Sequence, residues 1–531
     1  MRINKIILDE KEFLLSNMVL IVGANGTGKT RLLDEISSEF AGRERKTNYW
    51  SLNFDHEFTQ NDGKIWYKHL QQFVERGAVQ WYSPFTKTGE SHDGRKITQL
   101  EYESLGRKNG FKEFFENSNF LRKELSHYLP VEERLNITSE IARKEQSNVI
   151  SDSLNLLFRN REMLEEIQVQ IRKLFKRELY LAPHNDPNLQ LKLADSSDEK
   201  MPKWNGKDPV KSFAQYQKWL GKATVGDIKI EGHGIRAFLH IMLSYALPTN
   251  LVLMIDEPEL HLYPSIKKKF GKLLGNLTQK SKKQIICVTH DSDFLQGVFD
   301  SKCDLDVLKL QKQDKKYSVI SYSYKSNNSL WAKYNQTSFL QLAFLECAII
   351  VEGSTDQHLY EYIFSDQNLL GEVEYNFISA GGNDSISNPE KLAQDLKVPY
   401  AIILDFDNLK EVEYEHIEKI RKLKGKKRIL ELIQKLGPKI KGVPEIKNKG
   451  LAAFDDGDLK NEIKAIIRKL DKMGIFIVPC GYLESWAKIA CTKAEFPEKF
   501  IKKYMESKTE FQSLNIFLKK IEKYLRSEMN R

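Results

Sequence analysis

Cysteine is scarce in this chain: five among 531 residues. Cys287, Cys303, Cys347, Cys480 and Cys491 are scattered, with no CxxC pair. That spacing argues against a structural zinc site or a disulfide framework and for a reducing, cytoplasmic setting. No run approaches the roughly 18 consecutive apolar residues of a membrane span. The opening Met1-Arg2-Ile3-Asn4 leads into mixed polar sequence and lacks the apolar block of a secretory signal. No membrane partner is therefore expected. Internal repeats are absent too. Nor is there a strong excess of one charge: 82 basic against 73 acidic side chains leave a net +9, compatible with a polyanionic partner without establishing one. A hydrophobic content of 41% and a charged content of 29% describe a soluble globular protein, and the length calls for two or three domains.

What is present is a series of short apolar runs that end in chemistry-bearing residues. Met18–Val22 reads as a buried strand and Thr30–Phe40 as a helix. From about 110 to 180, Leu, Glu, Lys and Arg dominate with apolar residues at helical spacing, such as Phe120, Leu121, Leu125 and Leu129; a helical insertion is expected. Residues 183–228 look loop-rich. Leu251–Ile255 and Gln284–Thr289 read as strands, and the polar stretch 311–335 as a meander ahead of a domain boundary near 340. Strand–helix alternation resumes with Cys347–Val351, Tyr375–Ser379 and Tyr400–Leu404, the pattern of a small parallel α/β sheet. Gly474–Val478 supplies another strand, and 497–531 reads as helical.

The first constellation is Gly23-Ala24-Asn25-Gly26-Thr27-Gly28-Lys29-Thr30, a P-loop pattern between a strand and a helix. Asn25, Gly26 and Gly28 let backbone N–H groups close on phosphate oxygens at the positive end of the helix. Lys29 reaches the β- and γ-phosphates and Thr30 ligates Mg²⁺. Asp256 and Glu257 end a later strand, which suits one acid to the magnesium side and the other to polarising a water. His290, at the end of the next strand, suits a sensor of the γ-phosphate. The order of these motifs resembles ABC-type ATPases, in particular the branch shared with SMC and Rad50 proteins. In that family a partner subunit's signature loop closes over the ATP. The candidate loop is Glu231-Gly232-His233-Gly234, with Gly232 and Gly234 allowing close backbone approach. Glu231 departs from the family pattern, and its carboxylate would repel a γ-phosphate. An ordinary turn ahead of a helix is the alternative.

The second constellation is acidic. Val351-Glu352-Gly353-Ser354-Thr355-Asp356 follows one strand, and Asp405-Phe406-Asp407 follows another. Acids two apart on extended chain lie on one side, and oxygen ligands so placed suit hard divalent ions. Two such ions can stabilise both the attacking and the leaving oxygen of a phosphodiester. The set resembles a Toprim domain, with Tyr482-Leu483-Glu484 in place of the late glutamate and Lys488 as the assisting lysine by proximity. Unrelated solvated acids are the alternative. The basic run Lys419–Arg428 is either a DNA contact or a solvated helix face.

An ABC-type ATPase followed by a Toprim domain resembles the overcoming-lysogenization-defect (OLD) family. The resemblance implies an α/β protein with an ATPase domain over 1–340 and a Toprim nuclease domain over 341–500, followed by a helical tail over 501–531. It implies ATP and Mg²⁺ or Mn²⁺ as cofactors. The metal set is Glu352, Asp356, Asp405, Asp407 and Glu484, with Thr30 at the nucleotide; Glu352, Asp405, Asp407, Glu257 and Lys488 form the catalytic set. DNA is the implied substrate, a homodimer or larger homo-oligomer the implied assembly, and anti-phage defence the implied setting. Some relatives act with a helicase, others as retron effectors beside a reverse transcriptase and a DNA–RNA hybrid; any such partner would be a separate molecule here. The rival classes are a non-nucleolytic DNA-bound ATPase of recombination or repair and an ATP-gated interaction protein.

Overall fold

The computed structural model describes residues 2–40, 50–57, 71–75, 78–82, 126–135, 140–142, 160–183, 188–195, 225–228, 231–247, 250–313, 316–325, 337–382, 385–410, 426–487 and 494–530, with a few isolated positions between them. The chain divides into two compact units. One comprises Met1–Ile21, Gly28–Leu308 and Ser323–Asn327; the other comprises Val22–Thr27, Lys309–Tyr322 and Asn328–Arg531.

A six-stranded sheet carries the P-loop. Its strands are β1 (Met18–Gly23), β2 (Ser126–Leu129), β3 (Val252–Asp256), β4 (Gln284–Val288), β5 (Leu305–Gln313) and β6 (Lys316–Tyr324). They lie in the order β6-β5-β1-β4-β3-β2. The pairings β1–β4, β4–β3 and β3–β2 are all parallel. Every residue of β1, β3 and β4 is buried, which is why these strands read as continuous apolar runs and not as alternating ones. Helix α1 (Lys29–Phe40) follows β1 and buries Leu32, Leu33, Ile36 and Phe40.

Two segments differ from the sequence reading. Leu129, expected on a helix, closes strand β2 opposite Ile255; β2 has little apolar character of its own and is defined by pairing with β3. Phe120, Leu121 and Leu125 lie outside the described residues, and the helical character of 110–180 is carried by α2 (Arg161–Phe175). The stretch expected to be loop-rich contains Asn188–Asp195, antiparallel to Arg177–Pro183, Glu140–Ala142 and Val225–Asp227. Leu189, Leu191 and Leu193 are buried along it, the period-two signature of a half-buried strand. Helices α3 (His233–Ala246), α4 (Pro264–Lys280) and α5 (Ser292–Asp300) complete the elements around the nucleotide motifs.

In the second unit, β7 (Cys347–Val351), β8 (Tyr375–Ser379), β9 (Tyr400–Leu404) and β10 (Ile475–Ile477) form a parallel sheet in the order β8-β7-β9-β10. Helices α6 (Ser354–Asp366), α7 (Ser387–Asp395), α8 (Lys426–Lys441) and α9 (Asp458–Asp471) connect or extend the strands. The expected tail is structural: α10 (Phe496–Glu506) and α11 (Gln512–Met529) place Phe500, Tyr504, Leu514, Leu518, Ile521 and Leu525 in the same core as Ile349, Val351, Ile403 and Phe476.

Candidate functional site

The nucleotide motifs come together at the C-terminal ends of β1, β3 and β4. The loop Gly23–Thr27 is closed by the Thr27 hydroxyl, which donates to the Ala24 carbonyl at 2.8 Å. Gly26 and Gly28 hold positive φ, a conformation in which a side chain would be strained. Asn25 lies within this loop. Lys29 opens α1 and is buried. Thr30 Oγ1 donates to Asp256 Oδ1 at 3.1 Å, so the hydroxyl and the carboxylate assigned to magnesium are in contact. Burial pushes the Asp256 carboxyl up to about 6.

Glu257 and His290 are also in contact, Nδ1 to Oε1 at 2.9 Å. The hydrogen bond holds the Glu257 carboxyl below its ordinary range and raises the His290 imidazole, each stabilising the other's charge. The Glu257 backbone has φ +48, in the left-handed region. Its N–H donates to Val288 O at 2.9 Å, and its carbonyl accepts from Arg134 Nη1 at 2.8 Å. Arg134 is buried at 1% exposure, at the end of the single turn Val131–Arg134 that follows β2. Sequence reasoning passed over this residue; the only signal was a Pro-Val-Glu-Glu-Arg turn directly after a strand.

Gly232 caps α3 and Gly234 lies in its first turn. A Cβ on Gly234 would stand 2.5 Å from the His261 carbonyl, so this glycine is required by close packing against the segment after Asp256-Glu257. Glu231, whose carboxylate was expected to repel a γ-phosphate, is bonded to the Arg177 guanidinium, which also holds Asp195.

In the parallel sheet of the second unit the acids stand at the C-terminal ends of adjacent strands, where ligands bind in open α/β sheets. Glu352 follows β7; its Oε1 accepts from the Asp405 backbone N–H at 2.9 Å and from Asn408 Nδ2 at 2.8 Å. Asp356 caps α6, its Oδ2 accepting from Gly353 N at 3.0 Å. Burial, then the charges of Glu352, Asp356 and Asp407, raise the Asp405 carboxyl to about 8. Burial raises Asp356 to about 6, with further upward pressure from Glu352 and Glu484. Glu352, Asp356, Asp405, Asp407 and Glu484 thus form one electrostatic neighbourhood. Among the described residues, however, no three His, Cys, Asp or Glu side chains form an assembled metal-holding group. One oxygen each of Glu352 and Asp356 is occupied by a protein donor, which accounts for part of this difference from expectation. The donor set still fits a hard divalent cation: all oxygen, with a surplus of negative charge that a cation would offset.

Lys488 lies outside the described residues. Among the described residues a lysine that does stand beside the acids is Lys447, whose Nζ is 3.6 Å from Asp407 Oδ2. It belongs to a short turn, Ile446–Lys449, locked to the loop before Glu484. Leu451 N donates to Pro479 O at 2.9 Å and Ser485 Oγ to Asn448 O at 2.9 Å. Gly450 and Gly481 make the approach possible: a Cβ on Gly481 would stand 2.0 Å from Lys447 O, and one on Gly450 2.3 Å from Pro479 O. Those two glycines and the Asn408 after Asp405-Phe406-Asp407 were the available sequence signals. The basic run 419–428 falls mostly outside the described residues.

Comparison with known proteins agrees with this layout. The family described as AAA ATPase domain matches residues 34–295, and the one described as overcoming lysogenization defect protein-like, TOPRIM domain, matches 344–407. Protein ea59 of Escherichia phage lambda is 24% identical over 53% of this chain and 47% of its own length. The OLD nuclease of Thermus scotoductus is 24% identical over 29% and 30%, and Endonuclease GajA of Bacillus cereus 23% identical over 39% and 34%. The chain therefore spans less than half the length of these curated relatives in each match. Among solved structures, an SMC head domain from Thermotoga maritima aligns at 13% identity and TM-score 0.31, over 61% of this chain and all of that one. One polypeptide thus carries a match to an ATPase domain followed by a match to an OLD-like Toprim domain, the order that the resemblance to the OLD family implies.

Proposed function

We propose that the chain is an ATP-regulated, divalent-metal-dependent DNA endonuclease that acts as a homodimer or larger homo-oligomer, in bacterial anti-phage defence. The observation that carries this reading is the acidic neighbourhood at the ends of β7 and β9, where Glu352 is bonded to the Asp405 backbone and the Asp405 carboxyl is pushed up by burial and then by three other acids. Relatives named as nucleases support it.

Glu352, Asp356, Asp405, Asp407 and Glu484 would hold Mg²⁺ or Mn²⁺. Bound there, the cations supply positive charge to the oxygens of the phosphodiester. Asn408 fixes the Glu352 carboxylate, and Lys447, beside Asp407, offers a cation to the entering phosphate. At the other site, Lys29 meets the nucleotide phosphates, and Thr30 and Asp256 hold their magnesium. Glu257, oriented by His290, accepts the proton of an attacking water.

Supercoiled plasmid incubated with the purified protein, with and without Mn²⁺ and ATP, tests the proposal. Metal-dependent nicks and breaks are expected, and Asp405→Ala abolishes them while nucleotide binding persists. ATP turnover with intact plasmid under every condition would replace the nuclease with a DNA-bound or assembly-controlling ATPase.

A further inference from the structure

Glu257 holds a backbone conformation that is uncommon for a residue with a side chain. Its φ of +48 lies in the left-handed region, where the Cβ crowds the following carbonyl. Such a turn persists only when its surroundings over-determine it. Here the backbone is fixed on both sides. The N–H is held by Val288 O at 2.9 Å, at the end of the strand that leads to His290. The carbonyl accepts from Leu260 N at 3.0 Å and from Arg134 Nη1 at 2.8 Å. The side chain then reaches His290 Nδ1 at 2.9 Å.

Arg134 has little reason to be buried on grounds of packing alone. A guanidinium at 1% exposure is among the least favourable groups to remove from water, and its Nε has no hydrogen-bond partner. Its compensation is the charge of Glu259, Asp256 and Glu257, which act on it in that order after the burial penalty. Glu259 is itself buried at 1%, with Oε1 accepting from Thr289 Oγ1 at 2.6 Å and Oε2 unpartnered. Two neighbouring connections fix where the arginine stands. Strand β2, which precedes it, is paired with β3, the strand that ends at Asp256. Directly after it, the Leu135 carbonyl accepts from Arg236 of α3, the helix that begins at the Gly232–Gly234 loop.

We infer that Arg134 is a positioning residue for ATP hydrolysis, acting through Glu257: it clamps the Glu257 carbonyl so that the left-handed turn aims the carboxylate at His290 and at the nucleotide. This rests on the ATPase reading proposed above. The clamp requires a rigid donor fork, because the carbonyl must be held while the rest of the guanidinium stays among the acids; a lysine supplies the charge without that geometry.

The test uses the full chain and four variants: Arg134→Lys, Arg134→Met, Glu257→Gln and the double variant Arg134→Lys/Glu257→Gln. Turnover of ATP and binding of a fluorescent ATP analogue are measured on each. Arg134→Lys lowers kcat at least tenfold while the analogue's Kd stays within threefold of wild type. The double variant turns over no more slowly than Glu257→Gln alone, because both changes remove one function. If Arg134→Met does not fold, the lysine variant decides by itself. Wild-type kcat in Arg134→Lys, loss of nucleotide affinity in step with kcat, or multiplicative losses in the double variant would each overturn the assignment. A wild-type protein that binds the analogue but never hydrolyses ATP would instead remove the ATPase reading on which the assignment stands.

Discussion

Asp405→Asn should stabilise the metal-free protein while abolishing cleavage. Asp405 sits among Glu352, Asp356 and Asp407, and burial together with these charges raises its carboxyl from 3.8 to about 8. A carboxyl raised in the fold contributes full stability below the unfolded pKa and loses it as pH climbs to the folded one. The loss therefore develops between about pH 4 and pH 8. At pH 7 the upper limit is about 4 kcal/mol, from roughly three pH units above the unfolded pKa at 1.36 kcal/mol each. Solvent relaxation lowers this, so about 1–3 kcal/mol is expected, or roughly 3–8 °C in the melting temperature of a unit of this size. Scanning calorimetry in EDTA at pH 5 and pH 8 provides the assay. The variant should melt higher than wild type, and by more at pH 8. Added Mn²⁺ should then raise wild type more than the variant, because only wild type keeps the full donor set. A variant that melts at or below wild type at pH 8 in EDTA would refute the claim that these acids repel one another in one neighbourhood.

Lys447→Ala should reduce plasmid cleavage by roughly ten- to a hundredfold, in line with loss of one charge-assisting group, with partial recovery in Lys447→Arg; unchanged cleavage would return the role to another lysine. Lys29→Ala should abolish binding of a fluorescent ATP analogue without lowering the melting temperature by more than a few degrees. Gly297→Ala should destabilise the ATPase-bearing unit by about 3 kcal/mol or more, because the new Cβ would stand 1.9 Å from the Lys268 carbonyl where α4 and α5 cross; urea denaturation measures it. Burial depresses Lys283 to about 7, although its ammonium donates to the Tyr245 and Leu247 carbonyls. The unfolded chain therefore holds a proton that the fold gives up, and stability should rise between about pH 7 and pH 10. Lys283→Met should flatten that slope in a pH series of melting curves.

The parallel strands were legible because a strand covered on both faces has no polar side to interrupt it, as in Leu253-Met254-Ile255 and Ala348-Ile349-Ile350. The acids and the Thr30–Asp256 pair were legible because the ends of such strands are where the backbone releases a side chain towards a ligand. Strand Ser126–Leu129 was not, since its identity comes from its partner β3 and not from its own composition. Asn188–Asp195 does alternate, but the prolines and glycines around it suggested a loop. Lys447 was out of reach for another reason: it meets Asp407 only because two glycines far apart in the chain allow two backbones to touch. The left-handed turn at Glu257 and the arginine that fixes it are tertiary facts. Pairing of Glu231 with Arg177 likewise replaced an expected repulsive carboxylate with a neutralised one.

The helix Gln512–Met529 lends Leu514, Leu518, Ile521 and Leu525 to the hydrophobic interior behind Glu352 and Asp405. During synthesis the acid-bearing strands emerge well before this helix exists. They must wait for it: a prematurely terminated polypeptide carries Glu352 and Asp405 without the helix that completes the core behind them.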